Sequence, residues 1–264
     1  MSGSGNIINI DNVNKTFFTE KGLEIKAIEN FSMNVNSNDF VCIVGPSGCG
    51  KSTLLRIMAG LESATTGQIY LYDQPVIKPN SKVGMVFQDY SLFPWKTVID
   101  NITVGLEFAG YGSKKRKQIA NQYLELVGLS RFAKSFPYEL SGGMRQRVAI
   151  ARALATSPEV LLMDEPFGAL DAHTRILLQK ELLRIWEKNR KTILFVTHSV
   201  DEAIYLSDRI VVMSAAPGKV KEVVPVNMPR PRNRANPQYG QLSAQILEML
   251  DNESYKSHDQ SEVV

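Results

Sequence analysis

The stretch "GPSGCGKST" (residues 45–53) constrains this chain more than any other. It lies between a short apolar run, "FVCIV" (40–44), and an amphipathic run, "KSTLLRIMA" (51–59), which stops at Gly60, a suitable C-cap. A buried strand, a glycine loop and a helix in that order turn backbone N–H groups and the positive end of a helix toward one point, where phosphate oxygens bind. In the spacing G-x-x-x-x-G-K-[ST], the loop Gly45, Pro46, Ser47, Gly48, Cys49 and Gly50 wraps a phosphate chain. Lys51 then reaches the β- and γ-phosphates, and Ser52, next to Thr53, offers its hydroxyl to Mg²⁺.

Further apolar or β-branched runs read as buried strands: "VGMVF" (83–87), "VLLM" (160–163), "TILFV" (192–196) and "RIVVM" (209–213). A long helical pattern, "TRILLQKELLRIWEK" (174–188), places Leu178, Leu182 and Ile185 on one face. Strands alternating with helices predict an α/β fold, a P-loop NTPase core with a mostly parallel sheet. Residues 66–80 read as short strands of a small antiparallel side sheet. Residues 89–158 break the rhythm and read as an inserted helical subdomain, with helices around 116–128 and 142–156. The expected organisation is a flexible leader at 1–5, a domain at 6–226 (core 6–88 and 159–226) and a short tail with a helix at 227–264. The arginines of "NMPRPRNRANP" (Arg230, Arg232, Arg234) read as a solvated tail, or else as a face toward anionic lipid.

The bulk numbers remove several classes. A net charge of +3 over 264 residues is too small to indicate a nucleic-acid binder. Cys42 and Cys49 fit neither a disulfide framework nor a zinc site. No uncharged stretch is long enough to span a bilayer, so any membrane crossing belongs to other chains.

Ligands of open parallel sheets bind beyond the carboxyl ends of the strands. Gln88 stands at one such end, suited to a metal or an attacking water, or equally to a solvated amide. Asp164 ends the apolar run "VLLM", where an isolated carboxylate is costly and a metal reached through water compensates. Glu165 follows and is the candidate general base. His198, just past "TILFV", can hydrogen-bond a γ-phosphate and its neighbouring water. A second anion site is legible in "LSGGMRQR" (140–147): Ser141 is a good N-cap, Gly142 and Gly143 permit close approach of a phosphate, and Val148, Ile150 and Leu154 fall on apolar positions of the helix behind.

"GPSGCGKST", Gln88, "LSGGMRQR", "LLMDEP", "GALD" (168–171) and His198 stand in the order and rough spacing of the ATP-binding cassette family, which the chain resembles over about residues 6 to 225. The resemblance implies ATP and Mg²⁺ as ligands and a metal set of Ser52, Gln88 and Asp164. It implies head-to-tail pairing with a second copy of the same or a similar subunit, Ser141–Gly143 of one gripping the γ-phosphate held by the other, with Asp171 bridging the two. It implies an aromatic ring stacked on adenine, for which Phe17 is in place and Phe18 is the substitute. Stand-alone cassettes of this kind resemble importer ATPases that dock on two membrane-spanning permease subunits at the cytoplasmic face of the inner membrane, indirectly serving a solute-binding protein. Phe93, Pro94 and Trp95 are the candidate permease contacts, or else core of the helical insertion. The segment 217–233 resembles cassettes for nitrate, sulfonate, taurine or bicarbonate. A soluble cassette acting on nucleic acid or ribosomes and a P-loop small-molecule kinase are the alternatives.

Overall fold

The computed structural model describes residues 5–168 and 170–261, the side chains of 189 and 252–261 aside. The leader expected at 1–5 therefore lies outside the described residues but for Gly5, as does Ala169 of "GALD". The chain forms two compact units, one of residues 1–80 and 192–264, the other of residues 81–191.

The first unit holds two sheets. In one, β3 (Phe40–Val44) lies between β8 (Thr192–Val196) and β9 (Arg209–Met213), parallel to both, with β10 (Val220–Pro225) antiparallel to β9 at the edge. Every residue of β3 and β8 is buried, the pattern of parallel strands covered on both faces. The other is antiparallel, in the order β2 (Glu24–Asn36), β1 (Asn6–Phe18), β4 (Thr66–Leu71), β5 (Gln74–Pro75). Most of this sheet is β1 and β2, 13 residues each; Phe31, Met33 and Val35 alternate inward, but elsewhere the register between the two strands shifts at four places and the alternation breaks. The helices of the unit are α1 (Lys51–Met58), α6 (Val200–Leu206) and α7 (Pro237–Ser261). Gly60 follows the C-cap of α1 with φ +70, and an added Cβ there would meet the Lys78 carbonyl carbon at 2.4 Å, so the stop is both conformational and steric.

The second unit pairs β6 (Val83–Val86) in parallel with β7 (Val160–Asp164) and adds α2 (Val98–Phe108), α3 (Ser113–Leu126), α4 (Gly142–Ala155) and α5 (Ala172–Asn189). Its helices close on a cluster that includes Val98, Ile102, Leu106, Leu124, Val148 and Ala151. α2 is absent from the expectation. Five of its first seven residues are β-branched, which lowers helix propensity. Burial of Val98, Ile102 and Leu106, one turn apart on a single face, overrides that preference.

The arginine tail corrects the sequence reading outright. Arg232 is 6% exposed and Arg230 and Arg234 each pair with a carboxylate, so residues 230–234 belong to the first unit's packing and are not a solvated tail.

Among the described residues, no helix is long and apolar enough to cross a membrane.

Candidate functional site

In the first unit the carboxyl ends of β3 and β8 stand side by side, with Ile43 opposite Val196 and the Thr197 amide donating to the Ile43 carbonyl at 3.2 Å. The loop after β3 turns through left-handed residues at Gly48 (φ +78) and Gly50 (φ +94). These glycines differ in kind. A Cβ on Gly48 would point into open space, whereas one on Gly50 would lie 2.6 Å from the Ala27 carbonyl of β2. Gly50 is the N-cap of α1, whose first turn carries no acidic residue, so the helix presents its positive end to the loop.

Lys51 is 6% exposed. Its Nζ donates to the carbonyls of Gly45 and Pro46, both at 2.8 Å, and stands 3.8 Å from Cys49 Sγ. Among the described residues this buried ammonium is held by neutral groups, and an anion in the loop would supply a compensating charge. The Cys49 thiol is itself pushed above its ordinary pKa, by burial first and against the pull of Lys51.

Phe17 is 38% exposed, with the Lys15 ammonium 4.7 Å from its ring centroid. It pairs with Ile25, two residues before Ala27, which packs on Gly50. Phe17 thus sits on the same strand pair that buttresses the loop, while Phe18 is 71% exposed. His198 is exposed in the turn between β8 and α6. That turn is fixed from beneath: the Thr197 hydroxyl donates to Glu202 Oε2 at 2.5 Å and accepts from the Ser199 amide at 3.0 Å. Glu202 was not anticipated as part of the site. Its signal was the Ser199-x-x-Glu202 spacing of a capping box, although its carboxylate goes to Thr197 instead of back to the cap.

The second unit assembles the other expected residues. Val86 is opposite Met163, so Gln88, exposed just beyond β6, and Asp164, 5% exposed at the end of β7, share one sheet edge. Glu165 has φ +41. A non-glycine residue in the left-handed region costs on the order of 1–3 kcal/mol and breaks the strand direction at once, setting Glu165 off the line that Asp164 follows. Its carbonyl accepts from the Gly168 amide at 3.1 Å, closing the turn.

Ser141 caps α4 by accepting from the Met144 amide at 3.3 Å, and Asp171 caps α5 by accepting from the Thr174 amide at 3.0 Å. That Thr174 hydrogen bond is also the main reason the Asp171 carboxyl lies below its ordinary pKa. The two caps are neighbours: a Cβ on Gly143 would meet Thr174 Cγ2 at 2.6 Å, and one on Gly142 would meet the Tyr90 hydroxyl at 3.3 Å. Glycine at 143 is thus demanded by packing against α5, a reason distinct from the close phosphate approach read from the sequence. Phe93 is half-buried and Trp95 is 71% exposed, the two rings 5.6 Å apart at their centroids. Asn101 holds this loop, donating to the carbonyls of Phe93, Lys96 and Thr97.

A parallel α/β sheet with a glycine loop closing on a buried lysine at a helix N-terminus defines a P-loop nucleotide-binding protein. Comparison with known proteins narrows the class. The ABC transporter family model matches residues 28–168. An uncharacterized ABC transporter ATP-binding protein of Methanocaldococcus jannaschii is 50% identical over 250 residues, covering 95% of this chain and 93% of that one. The aliphatic sulfonates import ATP-binding protein SsuB of Bacillus cereus is 47% identical over 244 residues, covering 92% and 96%. Among solved structures, a dimeric ATP-binding cassette in a post-hydrolysis state with ADP and Pi matches with a TM-score of 0.75 and 33% identity, over 84% of this chain and 99% of that chain. The chain belongs to the ABC transporter family, and it is an ATPase of the ATP-binding cassette type.

Proposed function

We propose that the chain is the energy-supplying subunit of a membrane importer for a small solute, working as a pair of cassettes at the cytoplasmic face of the membrane and docked on permease subunits. The observation that carries the catalytic half is the buried Lys51 ammonium, held among the described residues by neutral carbonyls at the mouth of an anion-binding loop. The import half rests on the sulfonate-import relative, which favours transport over the kinase and over the ribosome- or nucleic-acid-acting alternatives. An organic anion of the sulfonate class is the solute this relative suggests.

In this reading Lys51 exchanges the carbonyls of Gly45 and Pro46 for β- and γ-phosphate oxygens of ATP, while the amides of residues 45–50 and the end of α1 cradle the chain. Phe17 stacks on the adenine. Ser52, Gln88 and Asp164 offer hard oxygen donors, the chemistry Mg²⁺ requires, and would hold the ion, which supplies neutralisation of phosphate charge when bound. Glu165 accepts the proton of the attacking water, and His198 donates to the γ-phosphate and orients that water. Ser141–Gly143 of the second copy closes the pocket, and Asp171 bridges the copies. A two-fold pair then makes two equivalent sites, as in the dimeric cassettes this chain is similar to.

The test is Glu165→Gln. ATP affinity is expected to stay within a few-fold of wild type, turnover to fall by about 10²–10⁴ as for loss of a general base, and a nucleotide-bound dimer to accumulate on size-exclusion chromatography. Wild-type turnover in that variant rules out the base assignment. Stimulation of ATPase activity by the co-expressed permease tests the transport half.

A further inference from the structure

α6 begins two residues beyond His198 and is only seven residues long. A helix that short makes few internal hydrogen bonds, and its last carbonyls have no partner within it. Here all three of its last carbonyls are taken by one incoming segment. Arg232 Nη1 donates to Ile204 O at 2.6 Å and Tyr205 O at 3.2 Å, and Arg230 Nη2 donates to Leu206 O at 2.6 Å. Two cations at a helix C-terminus also match its dipole.

The same arginines are anchored behind. Arg232 donates to Val226 O and Met228 O, at 3.2 and 3.1 Å. Its burial, with the adjoining Arg230 charge second, draws its pKa down to about 10, yet it remains charged at neutral pH. Arg230 pairs with Asp208 Oδ1 at 2.5 Å, and Asp208 Oδ2 accepts from the Phe40 amide at 2.9 Å, at the start of the strand that leads into the phosphate loop. The front of α6 is held as well. Arg234 grips both oxygens of Asp201, at 2.7 and 2.9 Å, and lies 4.1 Å over the Tyr205 ring, while the Tyr239 hydroxyl meets Asp201 Oδ1 at 2.8 Å.

We infer that residues 230–239 form a clamp on α6 that sets the position of His198 relative to the phosphate loop, making Arg230, Arg232 and Arg234 positioning residues for ATP hydrolysis. Both ends of α6 are fixed, and so is the strand on which the loop is mounted. Slack in α6 therefore appears at the His198 turn, while the loop that binds ATP keeps its own bonds. This rests on the role proposed above for His198.

The test uses the full-length chain with Arg232→Met, which keeps the apolar stem, and Arg234→Lys, a milder change at a partly exposed site. Steady-state ATPase kinetics, melting temperature and the imidazole C–H resonances are measured. With three histidines in the chain, His198 is assignable by its loss in His198→Ala. The expected result in either variant is a kcat about tenfold lower, a misplacement effect, with KM for ATP within about twofold of wild type. The His198 resonance shifts or broadens while His173 and His258 stay in place. In the His198→Ala background the same substitutions change kcat less than about twofold. Equal losses in both backgrounds, or an undisturbed His198 resonance in a folded Arg234→Lys protein, overturn the clamp. If His198→Ala alone hydrolyses ATP at the wild-type rate, the role of His198 fails; if it is impaired while Arg234→Lys is not, the clamp alone fails.

Discussion

Gly143→Ala isolates what the glycine at the start of α4 is for. The added Cβ would lie 2.6 Å from Thr174 Cγ2, whereas carbon atoms in contact sit about 3.5–4.0 Å apart. Roughly 1 Å of movement is therefore forced between the new methyl and Thr174 Cγ2, through rotation of the threonine or separation of α4 from α5. Overpacking of this kind costs about 1–3 kcal/mol, and alanine returns up to about 1 kcal/mol of helix propensity. The expected net loss is about 1–2 kcal/mol, or about 2–8 °C in melting temperature for a chain of this size. Thr174→Ser removes the obstructing methyl and leaves the Asp171 cap on the Thr174 amide intact. Melting temperature and ATPase rate of the wild type, both single variants and the double variant complete a cycle. The double variant is expected to recover at least half of the lost stability and of the lost hydrolysis. A double variant as unstable as Gly143→Ala refutes the packing argument. Recovered stability without recovered hydrolysis restores the reading in which phosphate approach demands the glycine.

Trp95→Ala removes a 71%-exposed ring. It is expected to leave melting and the isolated ATPase rate unchanged while abolishing the permease's stimulation of that rate; undiminished solute uptake by the reconstituted complex would dismiss the contact. Tyr239 supplies a pH prediction. Burial first, then its hydrogen bond to Asp201, raises its pKa far above the ordinary 10.0. Its contribution is complete below pH 10 and is lost as pH rises above it, because only the unfolded chain ionises there. Stability should fall between about pH 9.5 and 12 in the wild type and less steeply in Tyr239→Phe, and identical slopes in urea melts would remove Tyr239 as the cause.

The phosphate loop and the buried strands around it were legible because each is a short, unbroken apolar run whose end carries the chemistry: "FVCIV" before Lys51, "VLLM" before Asp164, "TILFV" before His198. β1 and the first half of β2 were not, since left-handed Asn12 and Asn30 and the shifting register spoil the two-residue period, which is clean only over Phe31–Val35. Nor was α2, where burial outweighs β-branched preference. The arginine arm misled for a different reason. Arginine near proline reads as solvated, and nothing local shows that the acceptors are carbonyls about 25 residues upstream. At the site, motif order alone was enough to propose Lys51 and Glu165. The left-handed backbone of Glu165 and the Thr197–Glu202 bond beneath His198 are tertiary facts that no spacing encodes.

The first compact unit is discontinuous, and synthesis meets its halves far apart. β3 finds both of its neighbours in β8 and β9, which begin at Thr192 and Arg209, whereas the other unit is one continuous segment, 81–191. At translation speeds of about 5–20 residues per second, the nascent β3 waits roughly 7–30 s for its first partner, with two bare edges. The intervening segment has by then brought β6 to β7 and closed its own helical cluster. The part spliced into the middle of the gene's message is thus free to begin maturing first, and the nucleotide loop acquires its rigid floor only after it.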